Sequence, residues 1–69
     1  MDGNRLRAWR EGRGYTLAEI SGLSGYSVPM LSRVERGQRR LSPAAKVLVA
    51  RRLGVDIAEI FPIIAGVAA

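Results

Sequence analysis

The segment TLAEISGLSGYSVPMLSRVERG, residues 16–37, decides the fold because it contains two helix starts separated by a glycine turn. Thr16 followed three residues later by Glu19 is a capping box, which predicts that a helix begins here. Gly25 can adopt the positive φ of a sharp turn, and Ser27 with a proline two residues later predicts a second helix start. The segment therefore predicts two short helices joined by a tight turn, the second ending at its last glycine.

The second of these helices has two faces of different composition. Leu31 and Val34 recur at helical spacing on one side, which is typical of a face that packs on a core. The other side carries a stripe that does not belong to a core: Val28, Pro29, Ser32, Arg33 and Arg36. A helix, a tight turn and a second helix with such an outward face form a helix-turn-helix, which places its second helix in the major groove of DNA.

The residues before this segment predict one short helix. Leu6 and Trp9 lie three positions apart within residues 4–11, and Asp2 or Asn4 is in position to cap that helix. Inside the second helix, a glycine at position 22 lowers helix propensity. We interpret Gly22 as a site of close approach by another helix.

The residues after the segment predict two more helices. Ser42 and Pro43 provide an N-cap followed by proline at the first helical position, and Gly54 ends the helix. Asp56 and Glu59 form a second capping box, with apolar residues on both sides. Because no strand pattern is present, the sequence predicts an all-α fold, a compact bundle of five short helices with local contacts.

Composition limits the classes of function. We expect one small domain that binds DNA over residues 1–62, followed by an apolar tail, residues 63–69. The chain has no Cys and no His, which removes thiolate and imidazole metal ligands and His-dependent catalysis. We therefore expect a protein that is not an enzyme and has no metal and no cofactor. Because we find no signal-peptide pattern and no apolar run of about 18 residues, we expect a cytoplasmic protein without membrane contact.

The charge of the chain is basic. Eleven Lys and Arg residues outnumber six Asp and Glu residues, which gives a formal net charge of +5. Such an excess on a small surface suits a polyanionic partner. Ten of the eleven cations are Arg. This bias matches either the planar fork that arginine offers to phosphate and guanine or the codon usage of a GC-rich genome, and composition does not decide between them.

Several motifs together resemble one known family. They are Trp9-Arg10 at the end of the first helix, the Thr16-x-x-Glu19-Ile20 start, Gly25-Tyr26-Ser27 at the turn, and LSRVERG and ARRLGV at residues 31–37 and 50–55. Over residues 6–61 the sequence resembles the Cro and cI family of phage-type repressors, the xenobiotic-response-element helix-turn-helix domains. The resemblance implies a lambda-repressor-like fold. It also implies a bacterial or phage-encoded transcriptional regulator, with repression as the expected role, that binds a palindromic operator as a homodimer.

The resemblance implies which residues read the DNA bases. In the family these are the first residues of the third helix and the outward positions one turn later, here Ser27, Val28, Pro29, Ser32 and Arg33. Val28 and Pro29 stand where many members have glutamine, and their apolar surface suits a thymine methyl group. Arg33 can form two hydrogen bonds to guanine O6 and N7, with a phosphate contact as the alternative.

The same resemblance implies contacts to the DNA backbone. The residues concerned lie before and at the start of the second helix, at the end of the third and in the loop that follows: Arg13, Thr16, Leu17, Arg36, Gln38, Arg39 and Arg40. Leu17 stands where the family often has glutamine, so only the backbone amides there remain to bind a phosphate. The alternative for the loop is a solvated charged segment.

The resemblance also implies a structural ion pair and a dimer. Arg10 and Glu35 are expected to pair and lock the first helix against the third, the alternative being two solvated charges. Dimer contacts are expected from apolar residues in excess of a small core, with membership of the core as the alternative. The candidates are Leu41, Leu48, Ile57, Ile60 and Phe61, with Ile63 and Ile64.

A function of a second class stays open. The small size and the apolar tail also suit an antitoxin that binds a toxin protein and regulates its own operator. The last residues, Val67-Ala68-Ala69, resemble small apolar degradation tags, with an unremarkable terminus as the alternative. The residues distinguish neither repressor from activator nor one operator sequence from another.

Overall fold

The computed structural model describes residues 4–62, and within them the chain forms five α-helices and no strand. The predicted all-α bundle of five short helices is confirmed. The predictions for Asp2, for Ile63 and Ile64 and for the tail over residues 63–69 lie outside the described residues. The helices are α1 (Leu6–Gly12), α2 (Leu17–Ser24), α3 (Val28–Glu35), α4 (Pro43–Leu53) and α5 (Ile57–Ile60).

Most helix starts are set by side chains that accept hydrogen bonds from backbone amides. Thr16 Oγ1 accepts from the amide of Glu19 at 3.1 Å, and Glu19 Oε1 accepts from the amide of Thr16 at 2.8 Å, which forms the capping box of α2. Ser27, Ser42 and Asp56 accept from amides in the first turns of α3, α4 and α5. These starts therefore follow from local sequence signals.

The first helix begins two residues later than the sequence predicts. Arg5 is not helical, with φ −114° and ψ 22°, and its amide donates to the carbonyl of Ile60 at 2.6 Å. Asn4 caps the helix loosely, since its Oδ1 accepts from the amide of Leu6 at 3.1 Å. Its Nδ2 donates to the carbonyl of Val34 at 2.8 Å. The residues before α1 are therefore tied to α3 and α5 instead of extending α1.

The helices pack as a closed ring around one core. Following the contacts, α1 packs on α3, α3 on α2, α2 on α4, α4 on α5, and α5 again on α1. A ring of this kind lets a chain of modest length enclose a single apolar centre. The buried apolar side chains within the described chain are Leu6, Ile20, Leu31, Val34, Leu41, Val49, Ala50, Ile60 and Phe61.

The packing of this ring determines how much of each predicted dimer residue is exposed. Leu41, Ile60 and Phe61 are buried in the core, with at most 6% of their surface exposed, which favours core membership, the alternative that the sequence left open. Ile57 is half-buried and packs against the same core. Only Leu48 among the five is exposed, with 38% of its surface accessible.

The interpretation of Gly22 as a site of close approach by another helix is wrong. A Cβ atom placed on this residue would meet no atom of another element within 4 Å, so no helix approaches it. Gly22 instead lies at a shallow groove with Tyr15, Glu19 and Leu23. The glycine marks open space, and the sequence carried no signal that separates that case from a close approach.

Among residues 4–62, no helix has the length and apolar character needed to cross a bilayer.

Candidate nucleic-acid interface

The third helix is held by one face and leaves the other to solvent. Leu31 and Val34 are buried in the core. Val28, Pro29 and Arg33, on the opposite side, are exposed. The structure therefore brings the predicted base-reading residues together on one exposed surface, together with Ser27 at the helix start and a half-buried Ser32.

The start of α3 is fixed by a rigid turn. Gly25 has φ +86°, a left-handed conformation that glycine adopts without a steric penalty. Ser21 Oγ donates to the carbonyl of Tyr26 at 2.6 Å, and the amide of Tyr26 donates to the buried Ser24 Oγ at 3.2 Å. The backbone amide and carbonyl of Tyr26 are thus both bonded to α2. Such a turn holds α3 at one angle to α2.

The first residues of α3 differ in what they offer to a ligand. Ser27 Oγ accepts from the amide of Met30 at 3.2 Å, so its oxygen caps the helix while its hydroxyl hydrogen remains available. Pro29 lies in the first turn, where an amide has no acceptor within the helix, so the proline costs no hydrogen bond. Val28 and Pro29 therefore present apolar surface without disturbing the helix.

The end of α3 turns the chain back and exposes a basic loop. Gly37, with φ +73°, donates its amide to the carbonyl of Val34 at 3.1 Å, and the amide of Gln38 donates to the carbonyl of Arg33 at 2.8 Å. This pair of bonds is the Schellman motif, which ends a helix at a left-handed glycine. The side chains that follow, Gln38, Arg39 and Arg40, are exposed. Arg36 folds back on α3, since its Nε donates to the carbonyl of Ser32 at 3.2 Å.

Arg10 and Glu35, the expected ion pair, meet between α1 and α3. Arg10 Nε lies 2.7 Å from Glu35 Oε2, and Arg10 Nη2 lies 3.2 Å from Oε1, so the contact is bidentate. The side chains are 13% and 5% exposed. Arg10 Nη1 also donates to the carbonyl of Tyr15 at 3.0 Å, just before α2. The hydrogen bond to Glu35 raises the pKa of Arg10 above its ordinary value. One guanidinium thus connects the first three helices.

The residues predicted to contact phosphate near α2 occupy different settings. Arg13 lies over the ring of Trp9 at 5.3 Å from its centroid, and its Nη2 is 4.0 Å from Glu59 Oε1. Leu17 is half-buried against the core. Thr16 is engaged in its capping box, which uses the amides of residues 16 and 19. The amides of residues 17 and 18 therefore remain at the positive end of the α2 dipole.

The ion pairs of residues 4–62 all lie on the side of α1. They join Arg7 to Glu11, Arg10 to Glu11 and Glu35, and Arg13 to Glu59. None of the cations of α3, α4 or the loop between them takes part in an ion pair within this part of the chain. These cations are Arg33, Arg36, Arg39, Arg40, Lys46, Arg51 and Arg52. No group of three or more potential acidic metal ligands occurs among residues 4–62.

Comparison with known proteins gives three findings. A family profile described as a helix-turn-helix domain matches residues 3–60. A curated protein of Pyrococcus horikoshii, which carries a provisional name as an HTH-type transcriptional regulatory protein, is 40% identical over 42 residues. That match covers 61% of this chain but only 13% of the archaeal protein, so the chain spans a small part of its relative. No solved structure matches the chain at a significant level.

Proposed function

Since the chain belongs to the helix-turn-helix domain family, of the xenobiotic-response-element type, we propose that it binds double-stranded DNA and regulates transcription in a sequence-specific manner. The observation that carries this proposal is the division of α3 into two faces. Leu31 and Val34 anchor the helix, while Val28, Pro29 and Arg33 lie exposed beside a basic loop. A helix presented in this way fits the major groove of DNA.

We assign a different contact with DNA to each type of residue on the exposed face of α3. Arg33 is the side chain suited to a bidentate contact with guanine, which discriminates against other bases by roughly 1–3 kcal/mol. Val28 and Pro29 contact thymine methyl groups. Ser27 and Ser32 offer hydroxyl groups to base edges or phosphates. The proposed operator therefore contains guanine opposite Arg33 and thymine opposite the start of α3.

Contacts to the DNA backbone hold α3 in register. We assign them to the exposed loop, Gln38, Arg39 and Arg40, and to the free amides at the start of α2. Arg13 and Arg36 contribute less in this proposal, because each already has a partner in the domain. Only charged side chains release counterions, so phosphate contacts by all four arginines of this set correspond to a slope of log K against log salt of about −4 for each protomer.

The proposal is tested by selecting bound sequences from a random duplex pool and then measuring Arg33→Ala on the selected site. We expect one recurring site, and we expect the variant to bind it about 5- to 150-fold more weakly, the equivalent of about 1–3 kcal/mol, with relaxed preference at one base pair. Arg7→Ala is the matched control, since Arg7 is an exposed arginine on α1 that pairs with Glu11. Equal weakening on every sequence would show that Arg33 contacts only phosphate, and absence of any selected site would refute the function.

Repression by a homodimer on a palindrome is the finer part of the proposal. One domain covers half of such a site, and the two half-sites lie about 34 Å apart. With three predicted contacts buried in the core, Leu48 remains, and Val47 beside it is 45% exposed. We therefore assign the dimer contact to the outward face of α4. Repression then follows because two copies bound to the operator exclude other proteins from the promoter.

Leu48→Glu is expected to weaken binding to the palindrome by about 100-fold or more and binding to one half-site far less, because linked binding of two copies is lost. Electrophoretic mobility on full and half operators measures both quantities. Leu23→Glu is the control, since Leu23 is an exposed leucine on α2, outside the proposed contact. Equal loss in both variants, or no loss in Leu48→Glu, would argue against an α4 dimer.

A further inference from the structure

Arg52 lies where α4 meets the turn between α2 and α3. Its Nη1 atom is 3.0 Å from the point that a Cβ atom on Gly25 would occupy. The two residues are far apart in the sequence, and the packing of α4 on α2 brings them together. The side chain of Arg52 therefore reaches from the last turn of α4 across to the turn that leads into α3.

The turn beside this guanidinium leads directly into α3. The turn is held by the hydrogen bonds of Ser21 and Ser24 to Tyr26. Gly25 and Ser27 are two residues apart, so their Cα atoms are at most about 7 Å from each other. Ser27 begins the helix proposed to enter the major groove. A cation beside Gly25 thus lies within about one Debye length, 10 Å at 0.1 M salt, of the start of that helix.

Arg52 also has the free donors that a DNA contact requires. It forms no ion pair within residues 4–62, whereas the arginines of α1 are paired with acids. It is exposed, so its guanidinium can reach a ligand without unfolding any part of the domain. The planar fork of arginine suits two phosphate oxygens.

We propose that Arg52 binds a DNA phosphate beside the start of α3, at the opposite end of that helix from the Gln38–Arg40 loop. The inference rests on the proposed function and adds to it a point of attachment at the start of α3. A contact at one end of α3 fixes only its position along the groove, while contacts at both ends also fix its tilt. Arg52 is therefore a positioning residue for the side chains that read bases.

The competing role for Arg52 is purely structural. Gly25 ends α2, and the carbonyl groups at a helix C-terminus carry partial negative charge, so a nearby guanidinium stabilises that helix end. A structural role predicts a lower unfolding temperature after substitution, with unchanged salt dependence of DNA binding. A phosphate contact predicts a changed salt dependence. The two roles are thus separated by one pair of measurements.

The experiment measures dissociation constants of the whole chain for its selected operator between 50 and 200 mM salt. For Arg52→Gln we expect, for each protomer bound, the slope of log K against log salt to decrease in magnitude by about 0.9 and the affinity at 0.1 M salt to fall about 5- to 10-fold. Arg52→Lys is expected to keep the slope. Arg51→Gln removes the same charge from the neighbouring position of α4 and is expected to change the slope by less than half as much.

Three results would overturn the inference. An unchanged slope in Arg52→Gln, with or without a lower unfolding temperature, excludes the phosphate contact. Equal slope changes in Arg51→Gln and Arg52→Gln show a general effect of net charge instead of a local contact. If the unmodified chain binds no duplex at all, the proposed function itself fails, and the inference falls with it.

Discussion

Glu35→Ala is expected to destabilise the domain by about 3 kcal/mol, because it leaves the Arg10 guanidinium largely buried without its carboxylate. Removing one partner of a buried pair costs roughly 3–5 kcal/mol, and we take the lower end because Arg10 keeps some exposure and a second acceptor, the carbonyl of Tyr15. A domain of this size has a total stability of about 3–10 kcal/mol, so the variant loses a large part of it. Urea unfolding followed by circular dichroism measures the change.

Glu11→Ala is the control for this prediction. Glu11 is also an acid next to Arg10, at 3.9 Å, but it is 55% exposed. Exposed pairs contribute about 0.5 kcal/mol or less, so we expect almost no change in stability. Similar losses for both variants would show that the burial of the Arg10–Glu35 pair has no special effect. A loss below about 1 kcal/mol for Glu35→Ala would mean that water readily reaches Arg10.

The pH dependence of the stability that the Arg10–Glu35 pair contributes follows from the direction in which the pKa of Arg10 is shifted. The pKa of Arg10 is raised in the folded state, chiefly by the hydrogen bond to Glu35. A raised pKa stabilises the folded state below the unfolded pKa, and the effect is lost only as pH rises through the folded value. Both values lie far above neutral pH. Titration of Arg10 therefore leaves the stability unchanged across the pH range in which DNA binding is measured.

Local signals explain why most helix starts could be predicted from the sequence. A capping box joins residues three positions apart, so Thr16 and Glu19 can form their hydrogen bonds without any tertiary contact. The start of α1 differs because the amide of Arg5 donates to the carbonyl of Ile60, which is adjacent in space but far along the chain. No spacing in the sequence encodes that bond. Helix starts that depend on distant partners therefore escape prediction from periodicity and caps.

In the candidate site, too, features set by local sequence could be predicted, whereas features set by tertiary packing could not. The outward stripe of α3 could be predicted, because helical periodicity separates Leu31 and Val34 from Arg33. The exposure of the apolar residues proposed as dimer contacts could not be predicted. An excess of apolar residues in the sequence does not show which of them the closed ring of helices buries. Arg52 was missed for the same reason, since only the packing of α4 on α2 brings it to Gly25.

Leu31→Ala is expected to destabilise the domain by about 2–4 kcal/mol. Leu31 is 1% exposed, and truncation of a buried leucine loses its transfer free energy and leaves a cavity. It is one of the two side chains of α3 that are buried in the core. We therefore expect the loss to appear first in hydrogen exchange of the α3 amides, and then in the global unfolding free energy.

Val28→Ala provides the opposite result on the same helix. Val28 is 37% exposed, so its truncation removes little buried surface, and alanine has the better helix propensity. We expect a stability change within about 0.5 kcal/mol but weaker operator binding, through a lost contact with a thymine methyl group. The assignment of the two faces requires that Leu31→Ala lowers stability and Val28→Ala lowers only affinity. If Val28→Ala unfolds the domain, or if its operator affinity equals that of the unmodified chain, the outward face of α3 does not read DNA through this residue.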